Sequence, residues 1–130
     1  MDNVTELQVL LVEDSLPTAE RLCELIESTG YPVVISHVET EKEAMARINH
    51  SVPDIVVLDL RLKQGSGFNV LRKIAPIQPK PFVIVMTNYA LPSFRDYALL
   101  TGADRFLDKS LDIEHLPKII RSMSRIARVH

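Results

Sequence analysis

Val9-Leu10-Leu11-Val12 is a short apolar run that ends on an acidic pair, Glu13-Asp14. Three later runs end in a comparable way. Ile55-Val56-Val57-Leu58 ends on Asp59, Phe82-Val83-Ile84-Val85-Met86 ends on Thr87, and Phe106-Leu107 leads through Asp108 to Lys109. Runs this short and this apolar read as buried strands. In an open parallel sheet, ligands sit just outside the carboxyl ends of the strands. The acidic pair, the lone carboxylate, the hydroxyl and the ammonium are therefore expected to converge. Each alone is a weak signal, but four at equivalent strand ends point to one phosphoryl-transfer site.

The segments between these runs carry helical patterns. Leu7–Val12 reads as the first strand, and Leu16–Thr29 as an amphipathic helix with Leu16, Ala19, Leu22, Cys23 and Ile26 inward. Gly30 ends it, because glycine tolerates the left-handed conformation that follows many helices. Residues 32–38 read as a second strand. Thr40-Glu41-Lys42-Glu43 has the capping-box spacing, with a helix to about His50. Pro53 precedes a third strand over 55–59. Gln64-Gly65-Ser66-Gly67 reads as a turn before a helix from about Phe68 to Ile74. Pro76, Pro79 and Pro81 forbid its continuation. A fourth strand covers 82–86, a short helix covers about Ser93–Leu100 and closes at Gly102, and 105–107 is a short fifth strand. The last helix is expected from near Asp112, with Pro117 either in its first turn or marking a shift in its start, and with Leu116, Ile119, Ile120, Met123, Ile126 and Ala127 inward. Strands alternating with helices imply a parallel sheet covered on both faces.

Composition fits one domain. The chain has 130 residues, 46% of them hydrophobic and 25% charged, which supplies a core and argues against disorder. A net charge of −2 gives no whole-protein attraction to nucleic acid. The opening residues carry no signal-peptide pattern, and no apolar run approaches the ~18 residues of a membrane span. A cytoplasmic protein, without a membrane partner and without direct nucleic-acid binding, is the expectation. The single cysteine, Cys23, excludes an internal disulfide and reads as a small buried hydrophobe rather than a reactive thiol.

A carboxylate such as Asp59 can attack a phosphoryl group and form an aspartyl phosphate. The donor is anionic too, and Mg2+ would remove much of the repulsion. Mg2+ is typically held by one or two carboxylates, waters and phosphate oxygens. Glu13 and Asp14 suit that ion. Lys109 suits a phosphoryl oxygen as a point charge, and the Thr87 hydroxyl can hydrogen-bond another. Phosphoryl transfer needs little beyond positioning and charge stabilisation, so the set is chemically sufficient.

With these residues in view, the chain resembles the receiver domain of bacterial response regulators over nearly its whole length. The resemblance rests on Leu10-Leu11-Val12-Glu13-Asp14-Ser15, on Val57-Leu58-Asp59-Leu60-Arg61-Leu62 with Gly65-Ser66-Gly67-Phe68, on Met86-Thr87, and on Gly102-Ala103-Asp104 with Phe106-Leu107-Asp108-Lys109. It implies a doubly wound, flavodoxin-like α/β fold with five parallel strands in the order 2-1-3-4-5. It implies Asp59 as phosphoacceptor, with a histidine kinase or phosphotransfer protein as donor. Glu13, Asp14, Asp59 and the backbone carbonyl of Arg61 would hold Mg2+. Thr87 and Lys109 would grip the phosphoryl group, and Phe106 would be the aromatic that turns inward when Thr87 moves.

The sequence departs from the commonest family pattern at three places. The acidic pair is Glu-Asp, which still supplies two carboxylates. Asn88-Tyr89 after Thr87 is bulkier than usual and could shield a phosphoaspartate from water. Ser110 follows Lys109 where proline is usual, so a trans bond is expected there, because a cis bond to a non-proline residue costs ~3–4 kcal/mol. The strings Thr-Asn-Tyr and Asp-Lys-Ser look like those of small stand-alone receivers. With one domain in the chain, output is expected through contact with a protein the sequence does not name, or through onward phosphotransfer. Such a domain handles its own phosphorylation and dephosphorylation and is not a turnover enzyme.

Plainer readings stand beside these. Glu13-Asp14 alone would favour a helix N-terminus, since acids suit its positive end. Lys109 alone would be a surface lysine, Thr87 a strand residue and Phe106 simply core. The glycines at 65 and 67 lack the lysine and spacing of a phosphate loop. His37, His50, His115 and His130 have no metal-ligand spacing. Glu20, Glu24 and Glu27 on the first helix, and Lys118, Arg121, Arg125 and Arg128 on the last, read as solvated faces or as docking stripes. Two rival functions remain. One is the same fold acting as an interaction module without phosphorylation. The other is a flavodoxin-like cofactor binder, against which Glu-Asp-Ser-Leu-Pro after the first strand would repel a cofactor phosphate.

Overall fold

A computed structural model of the protein describes residues 6–129, with side chains described through Met123. Five strands alternate with the helices: β1 (Leu7–Val12), α1 (Leu16–Glu27), β2 (Val33–Val38), α2 (Glu41–His50), β3 (Ile55–Leu58), α3 (Gly67–Ile74), β4 (Phe82–Thr87), α4 (Pro92–Thr101), β5 (Arg105–Asp108) and α5 (Leu116–Val129). All strand pairings are parallel, in the order β2-β1-β3-β4-β5. This is the doubly wound, flavodoxin-like arrangement.

Period-two alternation divides the strand side chains between two cores. Val9 and Leu11, Ile55 and Val57, Ile84 and Met86, and Leu107 pack with Ala19, Leu22 and Ile26 of α1 and Leu116 and Ile120 of α5. Leu10 and Val12, Val56 and Leu58, and Val83 and Val85 pack with Ala44 and Ile48 of α2, Val70, Leu71 and Ile74 of α3 and Ala98 of α4. Phe106 joins this second core from its edge.

The helix starts follow the expected chemistry. The Ser15 and Ser66 hydroxyls accept from the amides of Thr18 and Phe68. Thr40 accepts from the Glu43 amide, and Glu43 reaches back to the Glu39 amide, which completes the capping box. Gly102, at φ 120°, closes α4.

Several boundaries and faces differ from expectation. Leu16 is 57% exposed rather than inward, and Leu25 is buried in its stead. Leu16 is the first residue of α1, directly after the Ser15 cap and past the end of β1, and it belongs to neither core. Cys23 is half-buried at the edge of the α1–α5 core, and burial, then Glu27 and Glu20, push its thiol pKa up. The last helix starts later than expected, because Ile113–His115 forms a separate 3-10 turn before Leu116. Pro117 falls in the first turn of α5 as expected. Ile126, Ala127, Arg125, Arg128 and His130 lie outside the described side chains. No helix among the described residues is long and apolar enough to cross a membrane.

Candidate functional site at the carboxyl edge of the sheet

The ends of β1, β3 and β5 bring the acidic pair, the lone carboxylate and the ammonium together, while Thr87 ends the neighbouring β4 without a side-chain bond to them among the described residues. One oxygen from each of Glu13, Asp14 and Asp59 can be chosen so that all lie within 4.8 Å of one another. Lys109 reaches into this cluster, with Nζ 2.5 Å from Glu13 Oε1 and 2.7 Å from Asp59 Oδ2. Glu13, Asp59 and Lys109 are all buried, and Asp14 is half-buried at the mouth. A cleft of about 350 Å³ opens above them, bordered by Arg61, Lys63, Asn88 and Tyr89.

Each carboxylate has a backbone partner that fixes its angle. Glu13 Oε2 accepts from the Ser15 amide, Asp59 Oδ1 from the Arg61 amide at 3.1 Å, and Asp14 Oδ2 from the Lys63 amide at 2.5 Å. Burial raises the Glu13 pKa, although Lys109 pulls it the other way. Lys109 is itself desolvated, but hydrogen bonds to Asp59 and Glu13 outweigh that and hold its pKa above the ordinary lysine value. The lysine is therefore a fixed cation between two carboxylates. Three carboxylates around one point carry more negative charge than one lysine neutralises. Hard oxygen donors of this kind fit Mg2+.

Thr87 is fully buried, and its hydroxyl oxygen accepts from the Tyr89 amide at 3.0 Å. Its O–H proton remains available to a further acceptor. Alternation puts Thr87 on the same sheet face as Val85, which is the β5 partner of Phe106. Phe106 is partly buried there, as a core residue with one side toward solvent. The Lys109–Ser110 bond is trans, as expected. Tyr89 is 47% exposed, and the Arg61 guanidinium lies 4.2 Å from its ring centroid. These two side chains border the cleft together.

Gly67 has a steric reason that its sequence neighbours do not reveal. A Cβ there would stand 2.0 Å from the Asp59 carbonyl oxygen and 2.6 Å from Leu60 Cα. Only glycine lets α3 begin so close to the strand end that carries Asp59. Two further residues with a part in the site had no local sequence signal. His37 on β2 bonds through Nε2 to the Glu13 carbonyl at 2.7 Å, and Glu41 on α2 accepts from the Ser66 amide at 3.0 Å. Both act across long sequence separations, and neither belongs to the motifs that mark the site.

An acidic cluster bridged by a lysine, at the carboxyl edge of a 2-1-3-4-5 parallel sheet, places the molecule in the flavodoxin-like class of two-component signalling proteins. Within that class the chain belongs to the response regulator receiver domain family, whose model matches residues 9–121. An uncharacterized response regulatory protein of Vibrio cholerae is 33% identical over 122 residues, covering 92% of this chain and 49% of the relative. The transcriptional regulatory protein ZraR of Escherichia coli is 29% identical over 85% of this chain and 24% of its own length. The chain thus spans about half or less of these relatives. Among solved structures, a signal receiver domain from Vibrio parahaemolyticus superposes with a TM-score of 0.85 at 30% identity, covering 96% of this chain and 95% of that one.

Proposed function

We propose that this domain is a phosphorylation-controlled switch that accepts one phosphoryl group on Asp59 from a histidine kinase or phosphotransfer protein. The observation that supports this most directly is the position of Lys109, fixed 2.7 Å from Asp59 inside an acidic cluster. A buried lysine shared by two carboxylates gives a cation beside the proposed nucleophile before any substrate arrives. In the reaction an Asp59 carboxylate oxygen attacks the donor phosphorus. A new O–P bond forms, and the bond from phosphorus to the donor atom breaks, with its electron pair leaving on the donor. Lys109 and the Thr87 hydroxyl stabilise the charge on the transferred group. Glu13, Asp14, Asp59 and the Arg61 carbonyl are the groups that would hold Mg2+. When bound, the ion offsets the repulsion between the carboxylate and the anionic donor. Water can later attack the same phosphorus, which breaks the Asp59 O–P bond, releases inorganic phosphate and returns the carboxylate. Tyr89 and Arg61, over the cleft, restrict that water.

The test is direct. Protein incubated with acetyl phosphate and Mg2+ should gain the mass of one phosphoryl group, and EDTA should suppress the gain. Unchanged mass with Mg2+ present would favour the interaction module that works without phosphorylation.

The output is conformational. New phosphate oxygens beside Thr87 and Lys109 would bias a two-state equilibrium through charge-assisted hydrogen bonds. Thr87 and Phe106 share a sheet face, so a shift of Thr87 changes the space available to the ring. Backbone amide shifts with and without beryllium fluoride should change over residues 87–110 and into α5. Changes confined to the neighbours of Asp59 would mean that output runs by onward phosphotransfer. A histidine-kinase donor implies a cytoplasmic setting. The face bearing Lys118 and Arg121, both exposed, suits an acidic protein partner.

A further inference from the structure

The turn between β3 and α3 supplies two groups to the site, the Arg61 amide on Asp59 and the Lys63 amide on Asp14. The far end of that turn is held from outside. Glu41, in the first turn of α2, lies on a different crossover connection and belongs to none of the motifs that mark the site. Its Oε1 accepts from the Ser66 amide at 3.0 Å and from Asn69 Nδ2 at 3.2 Å. Its Oε2 accepts from Lys73 Nζ at 3.1 Å, and its own amide donates to the Gln64 carbonyl at 3.2 Å. The carboxyl pKa is held below its ordinary value, first by the Ser66 amide and then by Asn69 and Lys73.

The link from Glu41 to the site is short. Ser66 pairs in antiparallel fashion with Arg61, and the Gly67 amide donates to the Leu60 carbonyl at 3.0 Å. Fixing Ser66 therefore fixes Arg61, whose amide bonds Asp59. Gly65 accommodates the contact. It sits at φ +87°, and a Cβ there would stand 2.3 Å from Glu41 Cβ. The turn is thus held by three carboxylates. Two of them, Asp14 and Asp59, are site residues, and the third is Glu41.

We propose that Glu41 is a positioning residue for the Mg2+ and phosphoryl site. It anchors the 61–66 turn through the Ser66 amide, and so sets the Arg61 backbone beside Asp59. This rests on the metal reading given above and adds a residue to it. Outer-shell partners of metal ligands commonly matter by about 10- to 100-fold in affinity. Glu41 acts two hydrogen-bonded steps away, so the lower end applies.

The test compares Glu41→Ala, Glu41→Gln and Lys73→Ala. Glu41→Gln keeps an amide oxygen for Ser66, and Lys73→Ala removes only the outer salt bridge. Amide hydrogen exchange in EDTA reads the anchoring without metal. A Mg2+ titration followed by amide shifts reads the site. Glu41→Ala should speed exchange at Arg61 and Ser66 and weaken Mg2+ by about tenfold. Glu41→Gln and Lys73→Ala should stay within about twofold of wild type on both measures, on the same scale of outer-shell effects. Gly65→Ala, which pushes the turn off Glu41 from the other side, should resemble Glu41→Ala. Unchanged exchange at Arg61 in Glu41→Ala overturns the anchoring. Faster exchange with unchanged Mg2+ affinity overturns the link to the site, and equal loss in Glu41→Gln overturns the role of the Ser66 bond. A wild-type protein that ignores Mg2+ removes the underlying metal reading, and the proposal with it, while the exchange data still report separately whether Glu41 holds the turn.

Discussion

Asp59→Asn should accept no phosphoryl group from acetyl phosphate and Mg2+ under conditions where the wild-type protein is modified. The amide matches the carboxylate in size and its oxygen can still accept from the Arg61 amide, although the NH2 that replaces Oδ2 gives up the bond from Lys109. What it loses is the nucleophilic electron pair of an ionised oxygen. The neighbouring carboxylates make this variant a sharp test, because Glu13 and Asp14 each place an oxygen within 4.8 Å of the cluster. Glu13 is 1% exposed and already bonded to Lys109 and the Ser15 amide, which leaves it poorly placed to meet a donor. Asp14 is more open, but one of its oxygens holds the Lys63 amide. Intact mass spectrometry should therefore show a complete loss. Modification of Asp59→Asn at the wild-type rate would move the acceptor to one of these two residues.

Lys109→Met should move two observables in opposite directions. Methionine fills the space of the lysine stem without its charge. Mg2+ should then bind more tightly, because the ion no longer shares Glu13 and Asp59 with a fixed cation. At surface-like effective dielectric, a unit charge at contact distance is worth up to about 4 kcal/mol, and a gain of about tenfold, well inside that bound, is expected. Phosphoryl uptake at saturating Mg2+ should nevertheless fall, by about 100-fold, because a positioned donor to the charge developing on the transferred group is gone. The variant should also be unstable in EDTA. Removing one partner of a buried ionic cluster leaves charge uncompensated, at a cost of about 3–5 kcal/mol. Added Mg2+ should recover much of that and raise the variant's Tm more than the wild type's. Mg2+ titration, initial rates of mass gain and thermal melts check the three parts. Tighter Mg2+ with an unchanged rate would leave Lys109 as a structural ion-pair partner only.

The strands and the residues at their ends were legible in the sequence because both are local. Val9–Val12, Ile55–Leu58 and Phe82–Met86 are continuous apolar runs, and all are buried strand in the structure apart from partly buried Phe82. Their end residues followed directly, so Glu13, Asp14, Asp59, Thr87 and Lys109 were identifiable before their contacts were known. Alternation of strand and helix gave a parallel sheet, but the order 2-1-3-4-5 came with the family resemblance. Periodicity says which face of a strand is buried and says nothing about which strand lies beside it. Periodicity also failed at the ends of elements, where Leu16 keeps the helical spacing yet finds no core above it.

The sequence by itself determined the chemical groups available, namely a lone carboxylate, an acidic pair, a cation and a hydroxyl. Only the tertiary structure decided how these are held. Lys109 bonds residues 96 and 50 positions away, Glu41 holds a turn 25 positions on, and His37 reaches a carbonyl 24 positions back. Local propensity and side-chain periodicity act over a few residues and so can be read along the chain. Contacts of this kind depend on which crossover packs beside which, and that is settled when the sheet assembles and its two cores close.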